Sequence, residues 1–187
     1  MERLVLALNC GSSSLKFGLY RGVDGGPELV REGEVEEIGR RNSSTPNHAA
    51  ALRQALAIVD ESENVIAVGH RIVHGGPDLR THQPLTPKVA EKLHAAIPFA
   101  PLHLPAALSV LHATERALPK ARQIVCLDTA FHNKMPDVAK TLALPAEVRR
   151  LGVERFGFHG LSLESIMTRM DPVPERLVIA HLGNGAS

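Results

Sequence analysis

The chain has 187 residues, 44% hydrophobic and 22% charged, enough for one sizeable core with an appended subdomain. A formal net charge of +1 with no basic block, and 3% aromatics with no Trp, argue against nucleic-acid partners held by charge or stacking. No apolar run reaches the length of a membrane span and the N-terminus lacks a signal-peptide core. Cys10 and Cys126 lack metal-type spacing, so no membrane partner and a cytoplasmic, reducing home are expected.

The apolar runs Leu4 to Leu8 and Leu15 to Tyr20 are short and rich in β-formers, which predicts two strands. Between them lies Asn9-Cys10-Gly11-Ser12-Ser13-Ser14-Leu15-Lys16. Gly and Ser carry little bulk, so this turn can bring backbone N–H groups and hydroxyls up to an anion. It lacks the Gly-Lys-Ser/Thr ending of a Walker loop. It reads either as a phosphate-binding turn or as a plain hairpin turn. Asp24-Gly25-Gly26-Pro27 is a turn signal, and Glu28 to Ile38 alternates as a third strand, so the chain opens as a meander. Thr45-Pro46 predicts a helix start, with Leu52, Ala55, Leu56 and Val59 on its apolar face.

Val65 to Val68 reads as a buried strand that delivers Gly69-His70-Arg71-Ile72-Val73-His74-Gly75-Gly76. Thr86-Pro87 predicts a second helix, stopped by Pro98 and Pro101, and Leu104 to Leu118 a third. Gln123 to Leu127 predicts a strand running into Asp128-Thr129-Ala130-Phe131-His132. Arg155-Phe156-Gly157-Phe158-His159-Gly160 opens a fourth helix through about Met170. Arg176 to Ala180 predicts a last strand leading to His181-Leu182-Gly183-Asn184-Gly185-Ala186-Ser187. An antiparallel opening followed by strand–helix alternation predicts an α/β domain with a mixed sheet and flanking helices.

Four predicted strand or turn ends carry clusters of Gly, His, Asn, Asp or Arg, and such ends converge on ligands in α/β sheets. Arg71 could grip a carboxylate or phosphate, or form a surface ion pair. His70 and His74 have the spacing of zinc-binding helices, but their segment reads as strand and turn, which argues against zinc. Asp128 could orient a metal-bound water or a basic side chain, or cap a turn. His159 could serve a phosphoryl group as proton donor, or simply pack. Gly183-Asn184-Gly185 could supply further close-approach N–H groups.

Six of these clusters, at 9–16, 69–76, 101–103 (Pro-Leu-His), 128–132, 155–160 and 181–187, together resemble acetate kinase, in that family's order across essentially the whole chain. The resemblance implies a ribonuclease H-like fold of the actin/Hsp70/sugar kinase type. It also implies transfer of the ATP γ-phosphoryl group to acetate, reversibly and with Mg²⁺, giving acetyl phosphate and ADP. By resemblance Arg71, Asp128 and His159 are catalytic, with Arg71, Val73, Leu102 and Phe158 binding acetate. Asn9, Ser12, Ser14, Lys16, His181, Gly183, Asn184 and Gly185 handle phosphate and ATP, Asn9 also helps position the metal, and His103 supports the site.

Residues 1–187 would then be the N-terminal acetate-binding domain, ending within the second phosphate loop. The C-terminal nucleotide-binding domain would be missing, and with it useful activity of this chain alone. A bare sheet face or hinge surface would offer itself to that domain or to a second copy in a homodimer. Two departures stand beside the site. Leu104 follows His103 where the family usually has Asn, and Leu161 and Leu163 replace Thr and His after Gly160, removing supporting polar groups. A propionate or butyrate kinase half is a competing reading within the class, and a degenerate, non-catalytic binding or assembly module one from outside it.

Overall fold

The computed structural model of the chain describes residues 3–60 and 64–183. Strands β1 (Leu4–Cys10), β2 (Leu15–Val23) and β3 (Gly26–Val35) form the expected antiparallel meander, and helix α1 (His48–Val59) follows. Strand β4 (Val65–Ile72) returns parallel to β1, and the two-residue β5 (Gln83–Pro84) precedes α2 (Pro87–Ala95) and α3 (Leu104–Ala117). Strand β6 (Arg122–Leu127) pairs parallel with β4 and antiparallel with β5, giving a mixed sheet of order β3-β2-β1-β4-β6-β5. Single helical turns α4 (Asp137–Lys140) and α5 (Ala146–Arg149) lead to α6 (Gly160–Thr168).

Strand alternation puts Leu4, Leu6 and Leu8 of β1, Leu15, Phe17 and Leu19 of β2, and Val68 and Ile72 of β4 into the core. Leu52, Ala55 and Val59 of α1 and Leu104, Leu108 and Leu111 of α3 close over that face. Burial of this apolar surface is the main stabilising term, at roughly 25 cal/mol per Å². The opposite alternation leaves Ala7, Asn9, Lys16, Gly69 and Arg71 on the other face, which α6 only partly covers. Leu104, one of the departures noted above, is a fully buried core residue at the start of α3.

Helix starts follow side-chain chemistry. Thr86 Oγ1 accepts from Val89 N–H at 3.2 Å and Pro87 takes the first helical position, as predicted. At α1 the predicted cap moves from Thr45 to Asn47, whose Oδ1 accepts from Ala50 N–H at 2.9 Å. Thr45 is instead buried, exchanging hydrogen bonds with Gln54.

The predicted strand at Arg176–Ala180 is not formed. That segment pairs with no other strand among the described residues, and Val178 is 95% exposed. A strand is held by hydrogen bonds to a neighbour, so an apolar run without one stays irregular.

Candidate active site

Strands β1, β4 and β6 run parallel, so their carboxyl ends lie on one edge and bring Asn9, Arg71 and Asp128 together. On β4 the neighbours His70 and Ile72 point into the core and Arg71 points to the open face. Its Nε and Nη2 donate to Asp128 Oδ2 at 3.1 and 2.6 Å, and Nη1 donates to Asn9 Oδ1 at 3.0 Å. Three of the five guanidinium N–H groups are thus engaged, which leaves two for an anion. The Asp128 side chain is 2% exposed against 32% for Arg71, so the pair is a buried carboxylate holding a cation at a cleft floor. Asp128 Oδ1 and Thr129 Oγ1 are buried and without a hydrogen-bond partner among the described residues.

The cleft has a volume of about 1090 Å³. One wall is the Gly11-Ser12-Ser13-Ser14 turn, closed by Gly11 N–H donating to Ser14 O at 2.8 Å and braced by His48 Nε2 against Gly11 O at 2.9 Å. This turn both connects a hairpin and lines the cleft. The other wall carries Val73, Leu102, His103, Phe158, His159, His181 and Gly183. Leu102 is 79% exposed, so it forms a rim and not a closed pocket wall. Lys16 pairs with Glu34 at 3.3 Å and, with Asn9, Arg71, Asp128, His159 and His181, lines a hollow of about 580 Å³ beside the cleft. Asn184 and Gly185 lie outside the described residues.

His159 reaches the site through a tight loop. Its own φ is 57°, in the left-handed region, and Gly160 N–H donates to Asp128 O at 3.1 Å. A Cβ on Gly160 would lie 2.0 Å from Asp128 O, and one on Gly157 would lie 2.2 Å from the His132 ring, so both positions require glycine. The His159 ring stacks on His181 at 4.2 Å, and His181 Nδ1 is 3.2 Å from Ser162 Oγ. Desolvation first, and the His181 charge next, lower the His159 pKa from 6.5. The shift favours the neutral form of the imidazole at neutral pH.

His70 and His74 do not form a metal pair. The buried His70 bonds to Gln123 Oε1 at 2.7 Å, while His74 stacks on Phe99, meets Phe156 and Phe158 at a tilt and accepts from Gly76 N–H at 2.8 Å. Among the described residues no three His, Cys, Asp or Glu side chains converge as a metal-ligand group. Sequence reasoning missed Phe99 and Phe156, which back the cleft wall, and His82. His82 accepts from Leu127 N–H at 3.0 Å and meets Glu164 of α6 at 2.9 Å. Phe156 stood inside a quoted motif, whereas His82 carries no local signal because its partners are distant in sequence.

A mixed sheet with helices on its faces and a cationic cleft at its parallel strand ends is an α/β domain of the actin/Hsp70/sugar kinase type. Residues 4–187 match the model of the acetokinase family, and the chain belongs to that family. It is 38% identical over 226 aligned positions to an acetate kinase of Methylocella silvestris, covering 100% of this chain and 55% of that protein. The crystal structure of Porphyromonas gingivalis acetate kinase superposes with a TM-score of 0.82 at 34% identity, over 98% of this chain and 53% of that one. A propionate kinase from Francisella tularensis gives the same TM-score, 0.82, and the same coverage, 98% and 53%, at 28% identity. The chain thus spans about half the length of the relatives it matches. No helix among the described residues is long and apolar enough to cross a membrane.

Proposed function

We propose that this chain is the carboxylate- and phosphate-binding half of an acetate kinase, which moves the ATP γ-phosphoryl group to acetate and gives acetyl phosphate and ADP, reversibly. The observation that carries the reading is Arg71, clamped by Asp128 and Asn9 with two N–H groups left over, at the floor of a cleft between the serine turn and His159. Acetate is ionised at neutral pH, so one carboxylate oxygen attacks the γ-phosphorus without a general base. Arg71 binds the incoming carboxylate and, with the neutral His159 N–H, stabilises charge on the equatorial phosphoryl oxygens. Asp128 keeps the guanidinium aimed. Ser12 and Ser14 of the turn, with His181 and Gly183 opposite, offer donors to the nucleotide phosphates. Val73 and Phe158 face the acetate methyl, with Leu102 at the rim and His103 beside it.

Magnesium fits the donor set, which offers hard oxygens: the unpartnered Asp128 Oδ1 and the second lone pair of Asn9 Oδ1. With a single carboxylate present, Mg²⁺ would be held by Asn9, by Asp128 through water and by phosphate oxygens, and would neutralise phosphate charge.

The remaining length of the relatives would complete the charge cage, so the 187-residue chain alone is expected to lack useful turnover. The test is acetyl-phosphate formation from ATP, Mg²⁺ and acetate by the chain alone and with a separately expressed C-terminal half of a relative. Activity only on mixing, lost in Arg71→Ala, supports the reading. Turnover by the chain alone near that of a full-length enzyme would overturn the half-enzyme assignment. No turnover in either case, with folded protein that binds no carboxylate, favours the non-catalytic module. The likeness to a propionate kinase keeps a longer acyl chain as the competing substrate, and propionate in the same assay decides between them.

A further inference from the structure

A second cluster of ligand-type side chains lies away from the cleft, where α2 meets α3. His94 of α2 and His112 of α3 face each other with their Nε2 atoms 3.2 Å apart. The rings are nearly parallel, at 13°, with centroids 5.5 Å apart, so the two Nε2 edges point toward one another. On the far side of His112, Nδ1 sits 3.2 Å from Glu115 Oε2. Both side chains reach solvent, His94 exposed and His112 in part.

We propose that His94 and His112 form a two-histidine site for a borderline divalent transition ion such as Zn²⁺, with water completing the coordination. Imidazole nitrogens suit zinc, copper and nickel, and discriminate against Mg²⁺. Two nitrogens each ~2.0–2.1 Å from one zinc ion and 3.2 Å apart subtend about 100° at the metal, close to tetrahedral. The two rings meet head-on, so each must turn by roughly 40° for both lone pairs to reach one ion at ~2.0–2.1 Å. Glu115 adds the outer contact that metal-bound imidazoles use: accepting from Nδ1–H, it fixes the tautomer that leaves the His112 Nε2 lone pair bare. In the metal-free chain His94 then donates its Nε2–H to His112 Nε2, and on metal binding that proton moves to Nδ1 by exchange with water. The ion would tie α2 to α3, and α2 runs directly into the Ile97–Phe99 turn that backs the cleft. The site uses none of the residues assigned to phosphoryl transfer, so it stands or falls independently of that reading.

The experiment is calorimetric titration of the nucleotide-free 187-residue chain with ZnCl₂, with MgCl₂ as control, alongside thermal melting. His94→Ala, His112→Ala and Glu115→Gln are compared after circular dichroism shows each folded. The expected result is one saturable Zn²⁺ site that raises the melting temperature. It should weaken more than tenfold in either histidine variant and about tenfold in Glu115→Gln, with no Mg²⁺ binding. Absence of saturable Zn²⁺ binding overturns the proposal. So does binding that survives either histidine substitution undiminished, which would place the ion elsewhere, for instance at the His159–His181 pair.

Discussion

Replacing Arg71 by Ala removes the sole counter-charge bonded to Asp128 among the described residues and leaves its carboxylate 2% exposed. Breaking a fully buried ion pair from one side costs about 3–5 kcal/mol, because the surviving charge keeps its desolvation penalty. Arg71 is itself 32% exposed and borders the cleft, so water screens part of that loss, and about 2–3 kcal/mol is expected here. For a chain of this size that lowers the melting temperature by roughly 5–10 °C. The penalty belongs to the orphaned charge and not to lost packing, so Arg71→Ala/Asp128→Asn should recover most of it. Urea unfolding of the wild type, both single variants and the double variant measures the coupling. Arg71→Ala within ~0.5 kcal/mol of wild type, or a double variant no more stable than the worse single one, would refute the argument that a buried carboxylate is held by this guanidinium.

Gly160→Ala is expected to destabilise by about 1–3 kcal/mol, since its methyl would meet Asp128 O at 2.0 Å and displace the loop carrying His159. In the complemented enzyme the same change should lower kcat on the order of 100-fold, and an unchanged kcat would show that the loop does not position His159. His70 and His74 have pKa values lowered from 6.5 chiefly by burial, so the unfolded chain takes up protons first as pH falls. Stability should therefore be level above about pH 7.5 and decline below pH 6.5, by up to ~1.4 kcal/mol per pH unit for each histidine. Denaturation midpoints from pH 8 to 5 check this, and a slope unaltered by His70→Gln would count against His70 as a source. The Cys10 thiol is pushed up to about 12 by burial. It should react with a thiol reagent only on unfolding, and prompt labelling in native protein would contradict the packing around it.

Local chemistry wrote much of this molecule into its sequence. The alternation of Leu4, Leu6 and Leu8, the Gly-Gly turn before β3 and the Thr86-Pro87 helix start each depend on residues a few positions apart. The clusters that became the cleft were visible for the same reason, since strand ends followed by Gly, His or Asp are local patterns. The partners within the cleft were not visible. Arg71 lies 62 residues from Asn9 and 57 from Asp128, and only the parallel register of β1, β4 and β6 brings the three together.

That same nonlocal pairing decided where local patterns misled. Arg176–Ala180 has a strand's composition without a neighbouring strand among the described residues. His70 and His74 share a ligand's spacing, yet one is bonded to Gln123 and the other sits among three phenylalanines. Composition and periodicity determine which groups a segment can bury or expose, because those preferences act within a few residues. Which charge meets which is settled by long-range hydrogen bonding and burial, which exist only once the chain has closed on itself.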